Sequence, residues 1–313
     1  SNIYEVPIGL EQQELDVKLL QRLGLDPKER DLADWRALVH RVRAIDRPVT
    51  IAIVGKYFGT GHFTLADSYI SVIEAAKHAS WANGVAPKFT WVDSDKFEKH
   101  PEKIEELKEF DGIIVPGGFG SRGIEGIITA IQFAREHAIP YLGLCYGMQL
   151  ATIEFARHVA KLDGAHTTEV DDAAPHPVIH IMSDQEKKLL QLAYGGTMRL
   201  GAYPCRLKEG SVTASAYQSG QRSETSGQRN SSDQISGEKP SNPKPSLDTG
   251  HWNLGSGDLV VQERHRHRYE FNNQYRQELE RAGLVIAGTS PDDRLVEVIE
   301  LAKAVHPFFV GTQ

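Results

Sequence analysis

The stretch Pro140-Tyr141-Leu142-Gly143-Leu144-Cys145-Tyr146-Gly147-Met148-Gln149-Leu150 decides how the rest of the chain is read. Tyr141 to Leu144 is an apolar run of strand length, and the spacing of Met148, Gln149, Leu150, Ile153 and Phe155 is helical. Cys145 stands at the junction, flanked by Gly143 and Gly147. A nucleophile between glycines at a strand-to-helix turn has the layout of a nucleophile elbow, a turn too crowded for Cβ atoms. The following helix would turn its free N–H groups and dipole toward the sulfur and favour a thiolate. A lone cysteine is more often a small buried hydrophobe, so the surrounding stretches must choose between the two readings.

Upstream, strands alternate with helices. Val49 to Gly55, Pro87 to Val92 and Gly112 to Pro116 read as strands; Ser68 to Ala79, Lys103 to Phe110 and Gly126 to His137 read as helices. That alternation predicts an α/β fold, a doubly wound, mostly parallel central sheet flanked by helices. Chemistry in such sheets sits at the carboxyl ends of the strands. Gly117-Gly118-Phe119-Gly120 follows one strand there and Cys145 ends another. Backbone N–H groups of the glycine loop could therefore hold an oxyanion beside the sulfur. Downstream, residues 165 to 210 are irregular and β-rich, and Leu284 to Ala287 with Leu295 to Glu300 predict a closing hairpin, an antiparallel extension of the sheet.

Residues 1–46 predict a helical lead-in or linker, with Leu10, Leu15, Leu19, Leu20 and Leu23 on one helix and Asp31 capping a second. The main domain is expected over 47–313, interrupted at about 218–257 by a stretch of Ser, Gly, Gln, Asn, Lys and Pro that reads as a disordered insertion. The 313 residues carry a formal charge of −7, with 40% hydrophobic and 25% charged residues, the composition of an ordinary globular protein. The acidic balance argues against nucleic acid and anionic membranes as partners. Two cysteines far apart argue against a disulfide scaffold and favour a reducing compartment. No apolar run reaches membrane-spanning length. The start, Ser1-Asn2-Ile3, has neither signal-peptide character nor an initiator Met, and predicts a piece of a longer protein.

Three polar features carry alternatives. Gly55-Lys56 lacks the spacing of a phosphate loop. Arg264-His265-Arg266-His267-Arg268, if extended, sets arginines on one face and histidines on the other; it fits a solvated basic strand, a metal site or an anion site for a carboxylate. Glu169 reads as an exposed loop carboxylate. A cysteine nucleophile also needs a base, usually a histidine, and none stands out by spacing.

Together, Pro116-Gly117-Gly118-Phe119-Gly120, Gly143 to Gln149, Gly195-Gly196-Thr197-Met198-Arg199-Leu200-Gly201 and Glu263-Arg264-His265-Arg266-His267-Arg268-Tyr269-Glu270 resemble the class I glutamine amidotransferase domain of the CTP synthase family. Ile3-Tyr4-Glu5-Val6-Pro7 resembles that family's interdomain linker. The resemblance implies a flavodoxin-like three-layer fold. It makes Cys145 the nucleophile that forms a γ-glutamyl thioester, with the N–H groups of Gly118 and Tyr146 as oxyanion donors. Glutamine would be bound by Gly118, Tyr146, Gly147, Met148, Gln149, Glu169 (α-ammonium) and Arg268 (α-carboxylate). The resemblance implies no metal or cofactor in this domain. The parent enzyme would use ATP, Mg2+ and UTP, with GTP as activator, pass ammonia to a synthetase (amidoligase) domain, assemble as a homotetramer and work in the cytoplasm. The family's His-Pro-Glu string falls just beyond Val310-Gly311-Thr312-Gln313, and His306-Pro307-Phe308 does not match it. This stretch of chain is therefore expected to lack its general base and to turn over poorly by itself. Another cysteine hydrolase of similar sheet, and a non-enzymatic binding module, are the competing readings.

Overall fold

The computed structural model describes residues 2–27, 29–56, 59–60, 63–64, 69–181, 198–225, 252–254 and 258–313. Gly195-Gly196-Thr197 and most of the low-complexity stretch lie outside the described residues. The chain divides into two compact units, Ser1–Val49 with Ile70–Lys88 and Thr50–Tyr69 with Phe89–Gln313.

The first unit is helical: α1 Val6–Gln12, α2 Leu15–Arg22, α3 Ala33–Arg43 and α4 Ile70–Ala82. The leucine spacing from Leu10 to Leu23 predicts one helix. The chain instead breaks at Glu14, whose φ of 53° is left-handed and takes its backbone out of the right-handed helical region. The N-cap of α3 is Leu32, not Asp31 as the spacing predicts; Asp31 stands one residue earlier, its Oδ1 accepting from the Ala33 N–H at 2.8 Å. Tyr4 organises this unit: its hydroxyl donates to Glu74 Oε2 at 3.0 Å, its ring stands edge-on to Trp81 with centroids 5.5 Å apart, and its carbonyl accepts from Trp35 Nε1.

The second unit holds the α/β fold. Its elements in order are β1 Pro48–Gly55 (from Thr50 on), β2 Gly59–Thr60, β3 Phe63–Thr64, β4 Ala86–Asp93 (from Phe89 on), α5 Asp95–Lys99, β5 Gly112–Val115, α6 Ile124–Glu136, β6 Tyr141–Leu144, α7 Tyr146–His158, β7 Ala165–Thr167 and β8 His176–Ile181. Then come β9 Arg199–Leu207, α8 Val212–Thr225, β10 Trp252–Leu254, β11 Asp258–His267, β12 Tyr269–Phe271, α9 Arg276–Arg281, β13 Leu284–Thr289, β14 Val296–Leu301 and β15 Phe309–Thr312. Ten strands make one sheet in the order β10-β11-β9-β13-β14-β15-β6-β5-β1-β4. Its centre is parallel, β15 on β6, β6 on β5 and β5 on β1. It continues into an antiparallel wing through β14, β13, β9, β11 and β10.

Period-2 alternation sends neighbouring side chains of β6 into two different cores. Tyr141 stacks on Phe309 at 4.6 Å and joins the cluster under α6 and α7. Leu142 joins Cys205, Leu207, Val298 and Val310 on the other face, which Ala214 and Val212 of α8 help cover. Helices thus lie on both faces, the three-layer arrangement expected for a parallel sheet.

Two expectations change. Lys103 to Glu109 lies in a 3-10 run, Pro101–Glu109, that opens at Pro101 one residue after α5, and Phe110 is its extended C-cap. The edges of the proposed insertion are ordered: α8 runs on to Thr225, and Trp252–Leu254 pairs with Asp258–Val260. Only 226–251 and 255–257 remain of that stretch, and they lie outside the described residues.

Candidate active site

Cys145 closes β6, the strand between β5 and β15, at its carboxyl end. Its backbone sits at φ 52°, ψ −101°, a conformation that costs a non-glycine residue on the order of 1–3 kcal/mol. The flanking glycines are steric requirements. A Cβ on Gly143 would stand 2.6 Å from the Tyr141 hydroxyl and 2.7 Å from the Gly147 carbonyl carbon, and one on Gly147 would overlap the Val115 carbonyl. The buried Tyr141 hydroxyl donates to Gly147 O at 2.9 Å and pins the first turn of α7. The Cys145 N–H donates to Thr312 O at 2.6 Å, fastening the elbow to the end of β15. The strain is therefore held from three sides, which is how elbow geometry persists.

A cavity of about 800 Å3 opens over the elbow. It brings Cys145 and Gln149 together with Gly117, Gly118 and Phe119 after β5, with Glu169 after β7, and with Arg264, Arg266, His267, Arg268 and Tyr269 of the β11–β12 edge. Of the residues singled out from sequence, Cys145, Gly118, Gln149, Glu169 and Arg268 line it. Tyr146, Gly147 and Met148 sit on the first turn of α7 with their side-chain positions turned into the core, Met148 against Gly311; they can offer a ligand only backbone. Glu169 is no free loop carboxylate: its Oε1 accepts from the Gly120 N–H at 3.0 Å. The Gln149 amide donates to Tyr269 O at 3.0 Å.

The alternating arginine–histidine string is a strand, with His265 and His267 buried and Arg264 and Arg266 exposed. Arg268 falls at the bend between β11 and β12 and so leaves the alternation to face the cavity. The histidines meet a buried charged cluster. His265 Nδ1 and His267 Nε2 are 2.8 Å apart, Arg199 Nη1 lies 2.7 Å from Glu297 Oε1 and 3.7 Å from Glu270 Oε1, and His267 Nδ1 lies 3.5 Å from Glu270. Burial, reinforced by Arg199, pushes His265 down to about 4; burial, His265 and Arg199 push His267 down to about 3. Burial and then Glu297 push Glu270 up to about 8, against the pull of Arg199. Among the described residues no group of three His, Cys, Asp or Glu side chains stands where it could hold a metal ion.

Burial also raises the Cys145 thiol, to about 11; the Tyr146 N–H opposes the shift, and Glu270 and Glu169 add to it. The helix N-terminus alone therefore does not generate the thiolate that sequence reasoning expected of it. None of the described histidines bonds to the sulfur. His306 is committed to the core, its Nε2 against Ala134 O at 3.1 Å and its Nδ1 accepting from the Phe308 N–H at 3.2 Å. Sequence reasoning missed Lys56, Tyr269 and Gln313. Gln313 Nε2 donates to Tyr269 O at 2.8 Å and Lys56 Nζ to Gly120 O at 2.5 Å. The apolar run ahead of Gly55-Lys56 was the one available signal for Lys56, since it delivers that residue to the same sheet edge.

A parallel α/β sheet with a strained cysteine elbow after its central strand, facing a glycine loop, defines a class of enzymes that work through a cysteine nucleophile. Comparison with known proteins narrows it. The family described as Glutamine amidotransferase class-I matches residues 64–313. CTP synthase of Caldanaerobacter subterraneus is 46% identical over 313 residues, 100% of this chain and 49% of its own length; that of Rubrobacter xylanophilus is 44% identical over 311 residues, 99% and 47%. The Trypanosoma brucei CTPS glutaminase domain with bound acivicin superposes with a TM-score of 0.65 at 32% identity, covering 85% of this chain and 84% of that one. The chain belongs to the class-I glutamine amidotransferase family, in the branch formed by the CTP synthases. It spans about half the length of the curated relatives it matches.

Proposed function

We propose that this domain hydrolyses glutamine to glutamate and ammonia through Cys145. The observation that carries the reading is the strained elbow at Cys145 facing a cavity with Arg268 and Glu169 on its walls. Arg268 suits the α-carboxylate by a charge-assisted contact and Glu169 the α-ammonium. The γ-carboxamide carbon then lies over the sulfur. The thiolate attacks it, the N–H groups of Gly118 and Tyr146 hold the oxyanion, and ammonia leaves once its nitrogen is protonated. Water then attacks the γ-glutamyl thioester, releasing glutamate and restoring the thiol.

By resemblance to the family, the base would be a histidine oriented by a carboxylate, at the carboxyl end of β15. β15 runs parallel to β6 with Thr312 opposite Leu144, so that end of the strand lies beside Cys145. The parent protein would use the ammonia for ATP- and Mg2+-dependent amination of UTP to CTP, with GTP as activator. The synthetase half would supply those sites, in a cytoplasmic homotetramer. Among the described residues no helix is long and apolar enough to cross a membrane.

Glutamate release by the full-length protein, wild type against Cys145→Ala, tests the reading. The expectation is glutamine-dependent turnover that Cys145→Ala abolishes while ammonia-dependent CTP formation remains. Glutaminase activity that survives the substitution overturns it.

A further inference from the structure

The loop that carries Gly118 is held from below by the side chains of Lys56 and Tyr146. Lys56, at the carboxyl end of β1, is only 3% exposed, and Tyr146 only 2%. Lys56 Nζ donates to Gly120 O at 2.5 Å, and the Tyr146 hydroxyl donates to the same oxygen at 2.7 Å. The two groups also meet each other, Nζ 3.4 Å from the hydroxyl and 4.6 Å from the ring centre. The Tyr146 ring packs under Gly118, where a Cβ would meet Cδ1 at 3.3 Å. On the cavity side the Gly120 N–H donates to Glu169 at 3.0 Å. Both polar groups of the Gly120 backbone are thus fixed, one by the clamp and one by the proposed ammonium ligand.

We infer that Lys56 and the Tyr146 hydroxyl are positioning residues that lock the 117–120 loop with its Gly118 N–H aimed at the developing oxyanion. The inference rests on the glutaminase reading for its kinetic consequence, though the clamp itself does not. Two physical considerations favour a positioning role over ordinary packing. A buried ammonium is costly unless its donors are used, and here one of its bonds goes to a loop carbonyl. An oxyanion donor stabilises the transition state only if it is already in place. The charged groups around Nζ are Glu169, Asp95, Glu98 and Arg122. Burial lowers Lys56 to about 8, the three carboxylates oppose that shift, and Arg122 adds to it. Loss of the proton weakens the hold on Gly120 O and shifts it onto the phenol.

The test compares full-length wild type, Tyr146→Phe and Lys56→Met. Amide hydrogen exchange over 117–122 should speed up by at least about tenfold in both variants, with the rest of the sheet unchanged. kcat for glutamine should fall roughly 10-fold with KM within twofold, less than the roughly 100-fold cost of deleting a direct oxyanion donor. Wild-type kcat should carry an alkaline limb near pH 8 that Lys56→Met lacks and Lys56→Arg moves to higher pH. Unchanged exchange in Tyr146→Phe, which keeps the ring and removes only the oxygen, overturns the clamp whatever the activity. Faster exchange with unchanged kcat overturns the positioning role. A wild type without glutaminase activity sinks the proposed function, while the exchange data still decide the clamp.

Discussion

At the scale of the residue, Cys145 is held in a backbone conformation it would not choose, in a place that resists its ionisation. Tyr141, Gly143, Gly147 and Thr312 hold the conformation; burial, with Glu270 and Glu169, raises the thiol to about 11. A raised thiol pKa means that the anion is the disfavoured form, so reactivity should climb with pH and not level off near neutrality. Iodoacetamide labelling of Cys145 in this chain is expected to accelerate about tenfold per pH unit from pH 7 to near 10. A plateau below pH 8 would contradict that. Cys205, fully buried and raised further by burial, serves as the internal control and should stay unlabelled in the native state. The elbow was legible in the sequence because glycines on both sides of a cysteine at a strand end point to a turn too tight for Cβ atoms. Lys56 was not, because its partner is a carbonyl oxygen, and no side-chain pattern announces a backbone acceptor.

At the scale of the element, α6 and α7 decide whether the elbow stays put. Between them Glu154, fully buried on α7, is met by Arg135 from α6 with Nη2 at 2.8 Å and Nε at 3.1 Å, and the more exposed Arg157–Glu125 pair joins the same two helices. Removing the guanidinium strands a buried carboxylate. Arg135→Met should therefore cost about 3 kcal/mol in urea unfolding, whereas the double change Arg135→Met, Glu154→Leu should recover most of it. A loss under about 1 kcal/mol in the single variant would show that the pair is solvated. On the same helix as Glu154, Gly147→Ala drives a methyl into the Val115 carbonyl. It should destabilise by about 1–3 kcal/mol and, by shifting α7 away from β5, abolish Cys145 chemistry even where the fold survives; a variant of wild-type activity would refute the close approach. The strands and helices of the second unit were readable because each buries a periodic face. The 3-10 run after α5 and the break at Glu14 were not, since both turn on local backbone geometry that periodicity does not encode.

At the scale of the whole chain, β9, β11 and β14 of the antiparallel wing and β12 of a separate three-stranded sheet, β12-β8-β7, meet around one buried charged cluster. Sequence showed its members as scattered letters, and the Arg-His-Arg-His-Arg string gave only the two faces. What placed Arg199 against Glu297 and Glu270 is strand order, which no local pattern carries. The cluster has a thermodynamic signature. His265 and His267 are depressed, so their contribution is present above pH 6.5 and is lost as pH falls through about 4 and 3. Glu270 is raised to about 8, so its contribution is complete below pH 4.5 and is lost as pH rises through about 8. Between pH 7.5 and pH 9 the histidines are neutral in the native state and nearly so in the unfolded chain, and the raised carboxyls, Glu270 with Glu297 beside it, set what this cluster adds to the slope. Wild type should then lose stability with rising pH, by at most about 1.4 kcal/mol per pH unit. Glu270→Gln, which keeps the shape of the protonated acid and cannot ionise, should flatten that limb while leaving the acid limb from the histidines in place. Urea midpoints at pH 7.5, 8, 8.5 and 9 for the two proteins decide it: parallel slopes would mean that Glu270 is ionised in the native state and that Arg199 carries two carboxylates at once.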